Sequence, residues 1–353
     1  MIEHLELKNF AAFKSLSIDF SPGINVIIGE NSTGKTHLLK AAYGLCAGAP
    51  IFKKKPDTSD DELEAALTTK LLRLFLPLDD KLGKMHHQGA TEQASLFARF
   101  SQHQKIAVTF SKNSKMLALQ NHGNYQQYLA ESVFIPTKEV LSIMKGFNSL
   151  YEKYELSFDQ TYQDICFLLD LPAVRKETLH EKSAWAMKEI KGICGGRFVF
   201  YGGGKVTFKT EHTEYSANSI AEGFRKAGMF SRLLETGVIK PGVSGPLFWD
   251  EPESNLNPTL MKLLVQILLE LSRHGQQIIL TTHDYVLLKW FDLLMDKGKG
   301  DYVRFHTLYR DENNVVKIDT VEDYRSITQN AIADTFNDLT KQQVNKTMGG
   351  LGK

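Results

Sequence analysis

A glycine-rich octapeptide near the start of the chain has the residue types and spacing of a phosphate-binding loop. It reads GENSTGKT and comprises Gly29, Glu30, Asn31, Ser32, Thr33, Gly34, Lys35 and Thr36. Glycines let backbone N–H groups turn toward phosphate oxygens, and the partial positive charge of a following helix N-terminus adds to the attraction. Lys35 can reach the β- and γ-phosphates, and the Thr36 hydroxyl can ligate Mg²⁺. The loop predicts binding of a nucleoside triphosphate, but alone it does not separate a GTPase, a kinase and an ATPase.

Two adjacent carboxylates end an apolar stretch in the second half of the chain, within GPLFWDEPESNLNP. Asp250 closes the stretch, which is where a fold with a phosphate loop places the acid that holds Mg²⁺ through water. Glu251 follows directly, so its side chain points away from that of Asp250 and can polarise the water that attacks the γ-phosphate. The alternative interpretation is a solvated acidic turn, which does not usually follow four residues of buried type.

A histidine at the end of a later apolar stretch, IILTTH, completes the predicted set. His283 can contact the γ-phosphate and position the attacking water. A single histidine after a strand is more often structural. Its place after the loop and the acid pair favours the catalytic interpretation.

These motifs require strands and helices that bring them together. The first thirty residues alternate apolar and polar, which predicts short strands with a turn at Ser21-Pro22-Gly23. A helix is predicted over THLLKAAYGLCAG, ending at Gly48. From residue 246 onward the patterns PLFWD, PTLMKLLVQILLELSRHG, QIILTTH and YVLLKWFDLLM alternate between strand and helix. This alternation predicts an α/β fold with a mixed or parallel sheet, as in a P-loop NTPase.

The segment between the loop and the acid pair has a different pattern. A helix starting at Ser59 or Asp60 is followed by the strand-like runs ASLFARFS, KIAVTFS, KMLALQ and ESVFIP, and then by helical spacing from Lys138 to about Lys191. RFVFYGGGKVTFKT predicts a hairpin, and the run after it predicts a helix that ends at Gly237.

Composition allows a full core and points to no particular partner. The chain has 353 residues, of which 42% are hydrophobic, and its 42 basic residues nearly cancel its 41 acidic ones. Net charge therefore gives no argument for nucleic acid or a membrane. Three separated cysteines predict neither disulfides nor structural zinc. Without a signal peptide or a long apolar run, the sequence predicts a soluble cytoplasmic protein with no membrane partner.

The loop at Gly29, the pair Asp250-Glu251, the following SNLN and His283 together resemble the head of an ABC-type ATPase. The SMC, Rad50, RecF and OLD branch is the most similar. Within it the chain resembles the AAA_15/AAA_21 stand-alone ATPases of bacterial anti-phage defence systems of the Septu, PARIS and OLD-like kinds. The resemblance implies a nucleotide-binding head of residues 1–51 and 195–353. It also implies an inserted, mainly helical subdomain of residues 52–194 as a partner or regulatory surface.

The resemblance further implies that two heads share each active site. In that family residues 254–257 would form a D-loop at the interface, and a signature segment would contact the nucleotide of the other head. The best match is SIAEGFRK, which implies contacts from Ser219, Glu222 and Gly223, with Ala221 in place of the usual serine. ATP and Mg²⁺ would then hold a homodimer or higher even oligomer together. The alternative is an ordinary amphipathic helix capped by a serine.

Other candidate contacts are weaker. No glutamine stands where the family has its Q-loop, because VFIPTKEVLS offers only Lys138 and Glu139. Phe13 lies where an adenine contact would be expected, but core packing is the favoured interpretation. His86-His87 is interpreted as an exposed loop rather than half a metal site. Lys53–Lys55 is interpreted as a solvated charged run rather than a DNA contact.

Three functional classes remain open from the sequence. The first is a defence-type ATPase that controls a separately encoded effector, a nuclease or a toxin. The effector is expected to be a separate chain because no second catalytic domain is expected after His283. The second is a RecF-like or SMC-like ATPase of DNA repair that binds DNA. The third is the nucleotide-binding subunit of a transporter.

The role given to Lys35 predicts a loss of nucleotide-dependent stabilisation. At a hundredfold excess of ATP over its dissociation constant, binding stabilises the wild-type fold by about 2.7 kcal/mol. Lys35→Ala should abolish this gain, measured as the shift in melting temperature on addition of MgATP. A melting shift equal to that of the wild type would contradict the assignment.

Overall fold

A computed structural model describes residues 1–154, 156–329 and 331–349. The strands are β1 (Ile2–Phe10), β2 (Phe13–Asp19), β3 (Ile24–Gly29), β4 (Ala94–Phe100), β5 (Lys105–Phe110), β6 (Ala118–Asn121), β7 (Val133–Ile135), β8 (Arg197–Phe200), β9 (Val206–Lys209), β10 (Glu214–Ser216), β11 (Leu247–Asp250), β12 (Ile278–Thr282), β13 (Val303–Arg310) and β14 (Val316–Val321). The helices are α1 (Lys35–Leu45), α2 (Gly48–Lys54), α3 (Asp60–Phe75), α4 (Phe147–Lys153), α5 (Gln160–Asp170), α6 (Glu181–Cys194), α7 (Glu222–Glu235), α8 (Pro258–Arg273), α9 (Tyr285–Leu294) and α10 (Ala331–Gly349).

A six-stranded sheet carries the predicted motifs. Its order is β14-β13-β3-β12-β11-β7, and all neighbours pair in parallel except β13 and β14. The carboxyl ends of parallel strands lie at one edge of a sheet, which is where ligands bind in open α/β sheets. The ends of β3, β7, β11 and β12 therefore meet there, and the prediction of a sheet with helical crossovers is confirmed.

Both faces of this sheet are covered, which explains its nearly continuous apolar strands. Val26 belongs to a core formed with α7, α8 and α9, whereas its neighbour Ile27 belongs to a second core formed with α1, α3 and the antiparallel sheet. Successive side chains of a strand point to opposite faces, so β3 joins the two cores.

An antiparallel sheet of five strands covers one side of the nucleotide loop. Its order is β2-β1-β4-β5-β6, and β1 pairs with β4 along most of its length. Strands β4 to β7 lie within residues 52–194, yet β4 pairs with β1 and β7 pairs with β11, both strands of the head. The helices of that segment are not part of these sheets, and their role as a separate subdomain remains a prediction.

The third sheet confirms the predicted hairpin. Strands β8 and β9 pair antiparallel, with β10 added at the edge of β9. Helix α3 begins as predicted: the Ser59 hydroxyl accepts a bond from the Glu62 backbone, and the Glu62 carboxylate accepts one from Ser59 N–H. This reciprocal capping explains why a local pattern sufficed.

Several element boundaries differ from the sequence predictions. The first helix ends at Leu45 rather than Gly48, because the Tyr125 hydroxyl donates to the Leu45 carbonyl and accepts from Gly48 N–H. The helical run from residue 138 consists of three helices separated by loops. Ser219 does not cap α7, since the helix begins at Glu222 with Ala221 before it and no side-chain cap.

Among the described helices, none combines the length and the apolar character needed to cross a lipid bilayer.

The amino end of β12 is fixed by a buried glutamine. The Gln277 side-chain oxygen accepts from Ile2 N–H at 3.0 Å, and its amide nitrogen donates to the carbonyls of Ile2 and Ser21 at 2.8 and 2.9 Å. It therefore ties β12 to β1 and to the turn before β3.

Gln277→Met should reduce the free energy of unfolding by about 3 kcal/mol, because buried backbone groups lose their partners. Urea denaturation measures the change. Gln127→Met, at an exposed glutamine, is the control and should change stability by less than about 0.5 kcal/mol. Equal effects of the two substitutions would contradict the role of Gln277 in fixing the amino end of β12.

Candidate functional site

The predicted phosphate loop lies between β3 and α1, at the carboxyl edge of the six-stranded sheet. Gly34 precedes the helix with φ of 93°, and a Cβ there would lie 2.8 Å from the Phe13 ring. Only glycine fits this backbone and this close approach. No side chain caps the start of α1, so its first N–H groups are available to an anion.

Lys35 folds back onto its own loop. Its side chain is 7% exposed, and its ammonium donates to the carbonyls of Gly29 at 2.7 Å and Glu30 at 3.0 Å. Burial lowers its pKa, and the carboxylates of Glu251 and Asp250 oppose that shift. Among the other loop residues, the Thr33 hydroxyl donates to the Glu30 carbonyl. Glu30, Asn31 and Ser32 are exposed.

The Asp250 carboxylate is held by hydroxyls from three elements. Thr36 of α1 lies 3.0 and 3.2 Å from its two oxygens, Thr137 after β7 lies at 3.1 Å, and Thr281 of β12 lies at 2.6 Å. Thr281 also accepts a bond from Glu251 N–H at 3.0 Å. Thr36 and Asp250, the two residues predicted to bind Mg²⁺, are therefore within hydrogen-bonding distance of each other.

Glu251 turns toward His283, away from Asp250. Its φ of 48° is in the left-handed region that non-glycine residues rarely adopt. One carboxylate oxygen lies 3.2 Å from His283 Nδ1, and the other lies 3.5 Å from the Ser254 hydroxyl. The His283 ring is half exposed. Backbone strain of this kind is characteristic of functional sites, where surrounding contacts maintain it.

A third carboxylate, Glu253, is buried behind the pair. One of its oxygens accepts from the Thr282 hydroxyl at 2.7 Å and from His283 N–H at 3.2 Å, and the other has no partner within the described residues. Burial raises the pKa of Glu253. It therefore supports the strand end that carries His283.

The predicted signature segment lies beside the predicted D-loop of its own chain. Glu222 accepts a bond from the Asn255 amide at 2.8 Å, and a Cβ on Gly223 would lie 2.5 Å from the Asn255 carbonyl oxygen. Ser219 is exposed in the turn before α7. Asn257, the last residue of the predicted D-loop, caps α8 by accepting from Leu260 N–H. The structure thus places Ser219, Glu222 and Gly223 at the start of α7, apart from the phosphate loop.

The residues fit ATP and Mg²⁺. The loop offers uncapped N–H groups and one lysine, and three hydroxyls and one carboxylate supply oxygen donors of the type that Mg²⁺ prefers. The described residues contain no cluster of three or more His, Cys, Asp or Glu side chains that could hold a metal. His86 and His87 bond to backbone carbonyls instead.

Sequence reasoning missed four contributors. Thr137 stands one residue before the unassigned Lys138, and Thr281 two residues before His283. Lys226 donates from α7 to three backbone carbonyls at the site. Arg310 donates to the Ser32 carbonyl and supports the phosphate loop from β13. Hydroxyls at strand ends gave a faint signal for the threonines, whereas no local pattern reveals the lysine or the arginine.

Comparison with protein families gives two matches. Residues 1–188 match the family described as "AAA ATPase domain" (AAA_15). Residues 211–289 match the family described as "AAA domain, putative AbiEii toxin, Type IV TA system" (AAA_21).

Curated relatives include DNA replication and repair protein RecF from several bacteria. RecF of Streptococcus pneumoniae (strain 70585) is 48% identical over 155 residues, which is 43% of this chain and 36% of the relative. RecF of Limosilactobacillus fermentum is 38% identical over 85 residues, 24% of this chain and 21% of the relative. The chain therefore spans well under two thirds of the length of these relatives.

Solved structures of SMC heads share the fold. The SMC head bound to the C-winged helix domain of ScpA has a TM-score of 0.58 at 14% identity, covering 91% of this chain and 97% of that one. An SMC head domain from Thermotoga maritima has a TM-score of 0.50 at 14% identity, covering 91% and 99%. The predicted fold class, an α/β P-loop NTPase with an ABC-type head, is confirmed.

The buried Glu253 makes stability depend on pH in a definite direction. Because burial raises its pKa in the folded state, the unfolded chain ionises first as pH rises. The contribution of Glu253 to the free energy of unfolding is thus fully present below the usual glutamate pKa of about 4.3 and declines above it. Relative to Glu253→Gln, the wild type should lose stability as pH rises from about 4.3 toward neutrality.

Urea denaturation of both proteins between acid and neutral pH measures this difference. Glu312→Gln, at an exposed glutamate, is the control and should parallel the wild type. A difference between wild type and Glu253→Gln that grows in favour of the wild type with pH would contradict the assignment.

Proposed function

The chain belongs to the AAA ATPase domain family (AAA_15), of the SMC and RecF type, and from this premise we propose that it binds ATP with Mg²⁺, hydrolyses the γ-phosphate bond and pairs with a second head around the nucleotide. The observation that carries the proposal is the convergence of three hydroxyls on Asp250, beside the phosphate loop, with Glu251 and His283 adjoining. Four separate segments contribute to one set of oxygen donors and bases.

The proposed hydrolysis needs positioning and charge stabilisation more than covalent chemistry. Thr36 and Asp250 would hold Mg²⁺, which neutralises charge on the phosphates. Lys35 would exchange its two loop carbonyls for phosphate oxygens. Glu251 would accept a proton from the attacking water, and His283, 3.2 Å from its carboxylate, would orient both water and γ-phosphate.

Pairing of two heads is supported by the start of α7. Its first turn has no side-chain cap, so its N–H groups can receive an anion. Ala221 offers no hydroxyl, and we propose that these N–H groups, with Ser219 and Gly223, contact the nucleotide of the opposite head. Asn255 of the D-loop donates to Glu222 of this turn, so the two parts of the proposed interface are in contact within one chain.

The output that we favour is control of a separately encoded effector, a nuclease or a toxin, in anti-phage defence. The match of residues 211–289 to a family described with an AbiEii toxin and a type IV toxin system supports this class. The helices of residues 52–194 are the proposed partner surface. Their exposed apolar side chains include Leu150, Tyr154, Phe167 and Leu171, which is consistent with a protein contact.

A second candidate is a DNA-repair or DNA-binding ATPase. The RecF relatives and the SMC head structures support it at least as well as they support a defence role. Faster ATP hydrolysis by the purified protein in the presence of duplex DNA would favour this alternative. Stable co-purification of a neighbouring gene product with nuclease or toxin activity would favour the first.

Glu251→Gln tests the hydrolysis and the pairing together. The variant should bind MgATP and hydrolyse it at least about a hundredfold more slowly, as expected when one transition-state group is lost. Light scattering should then show a closed dimer that accumulates with ATP. Glu312→Gln, an exposed glutamate outside the site, should hydrolyse ATP like the wild type. A Glu251→Gln variant that stays monomeric with saturating ATP would contradict the pairing, and normal hydrolysis would contradict the role of Glu251.

A further inference from the structure

Lys226 of α7 is a buried ammonium that none of the roles above explains. Its side chain is 1% exposed, yet it lies among residues of the proposed catalytic site. Its ammonium donates to the carbonyl oxygens of Glu251 at 2.8 Å, Thr137 at 2.9 Å and Ser254 at 3.3 Å. An ammonium has three donors, and here each has a backbone acceptor.

The three acceptors belong to three different parts of the site. Thr137 is the second residue after β7, and its hydroxyl bonds Asp250. Glu251 is the proposed base, and Ser254 begins the D-loop with its hydroxyl near the Glu251 carboxylate. Because Lys226 reaches all three from the second turn of α7, it joins this helix to the ends of β7 and β11 and to the turn that follows β11.

The Glu251 peptide needs such a support. Its left-handed φ of 48° costs on the order of 1 kcal/mol or more, and it persists only where surrounding contacts impose it. The Glu251 carbonyl accepts from Lys226 and also from Ser254 N–H at 3.1 Å, while its own N–H donates to Thr281. Both ends of the residue are thereby fixed, and the carboxylate is directed toward His283.

Burying the Lys226 ammonium costs free energy, so packing alone does not explain why a lysine is present here. Burial lowers the pKa of Lys226 to about 8, although the nearby acids Glu253, Glu251 and Glu222 favour its charged form. An apolar side chain would avoid the desolvation but remove one donor from each of the three carbonyls.

We propose that Lys226 is a positioning residue for hydrolysis: its ammonium holds the backbone of Glu251 and Ser254 in the conformation that directs the Glu251 carboxylate at the attacking water. The proposal rests on the proposed function and adds a residue to its machinery. All three donors of Lys226 are taken by backbone carbonyls, so its loss should lower kcat while leaving ATP affinity nearly unchanged.

Arg232 provides a matched control on the same helix. Its guanidinium is 9% exposed and donates to the backbone carbonyls of Leu169 at 3.1 Å and Leu171 at 2.7 Å, with Glu235 as its ion pair. It too is a buried cation that ties α7 to backbone carbonyls, but its acceptors belong to α5 and the residue after it. Arg232→Met therefore reports what a loss of packing and stability in α7 does by itself.

The test compares Lys226→Met, Arg232→Met and wild type in steady-state ATP hydrolysis and in ATP binding. Small displacements of a catalytic group cost up to about a hundredfold in rate, so Lys226→Met should lower kcat by about 10- to 100-fold, with the ATP dissociation constant changed by less than about threefold. Arg232→Met should keep kcat within about threefold, even where its melting temperature falls equally. Lys226→Gln is the milder variant, used in the same way if Lys226→Met does not fold.

Hydrogen exchange without nucleotide supplies a second readout. In Lys226→Met, the amides of Ser254 and Leu256, which bond the carbonyls of Glu251 and Glu253, should exchange faster by about tenfold or more, whereas Arg232→Met should leave them unchanged. Unchanged exchange at these amides, or a kcat near that of wild type, would overturn the positioning role. Equal kcat losses in the two Met variants would assign the effect to helix packing. A wild-type protein that never hydrolyses ATP would instead contradict the proposed function, and the exchange measurement would still decide the role of Lys226.

Discussion

The arrangement of the site depends on one carboxylate and the three hydroxyls that surround it. Asp250 ends β11, and the hydroxyls that bond it come from α1, from the second residue after β7 and from β12. Parallel pairing brings these strand ends to one edge, and hydrogen bonds of 2.6 to 3.2 Å to the Asp250 carboxylate then fix their relative positions. A shift of any of the three elements would break a bond to Asp250.

The same edge carries an unusual density of buried charge. Lys35 and Lys226 are cations with little exposure, and Glu253 is a buried carboxylate with one oxygen lacking a partner in the described part of the chain. Buried charges are tolerated when hydrogen bonds compensate their desolvation. Here backbone carbonyls accept hydrogen bonds from both lysines, which offsets the cost of burying their charge. The position of each ammonium therefore depends on the position of the main chain, and the reverse also holds. The Lys35 ammonium donates to two loop carbonyls in this structure. Phosphate oxygens would have to replace those carbonyls to accept from the same ammonium.

Two surfaces that a second head would meet are joined within one chain. The first turn of α7 contacts the D-loop through Glu222 and Asn255, and Gly223 permits the close approach of their backbones. Lys226, one turn further along, connects the same helix to Glu251. The proposed interface and the proposed base are therefore parts of one packed unit, which gives a physical route between association and hydrolysis.

The sequence by itself determined the elements whose signals are local. The phosphate loop needs a glycine at the φ of Gly34, and the capping box of Ser59 and Glu62 lies within four residues. An acid pair directly after an apolar strand can also be recognised from the sequence alone. The alternation of strand and helix after residue 246 likewise predicted the parallel sheet. These features depend on interactions between near neighbours along the chain, so one sequence contains enough to predict them.

Only the tertiary structure decided which distant groups share the site. Thr137, Thr281 and Lys226 are separated along the chain by many residues and become neighbours of Asp250 and Glu251 through strand order and helix packing. The pairing of β4 with β1 is equally non-local, which is why the middle segment contributes strands to the head. A threonine at a strand end or a lysine in an amphipathic helix has many possible roles. Its role is set by what lies across the interface, and that depends on the folded arrangement of the whole chain.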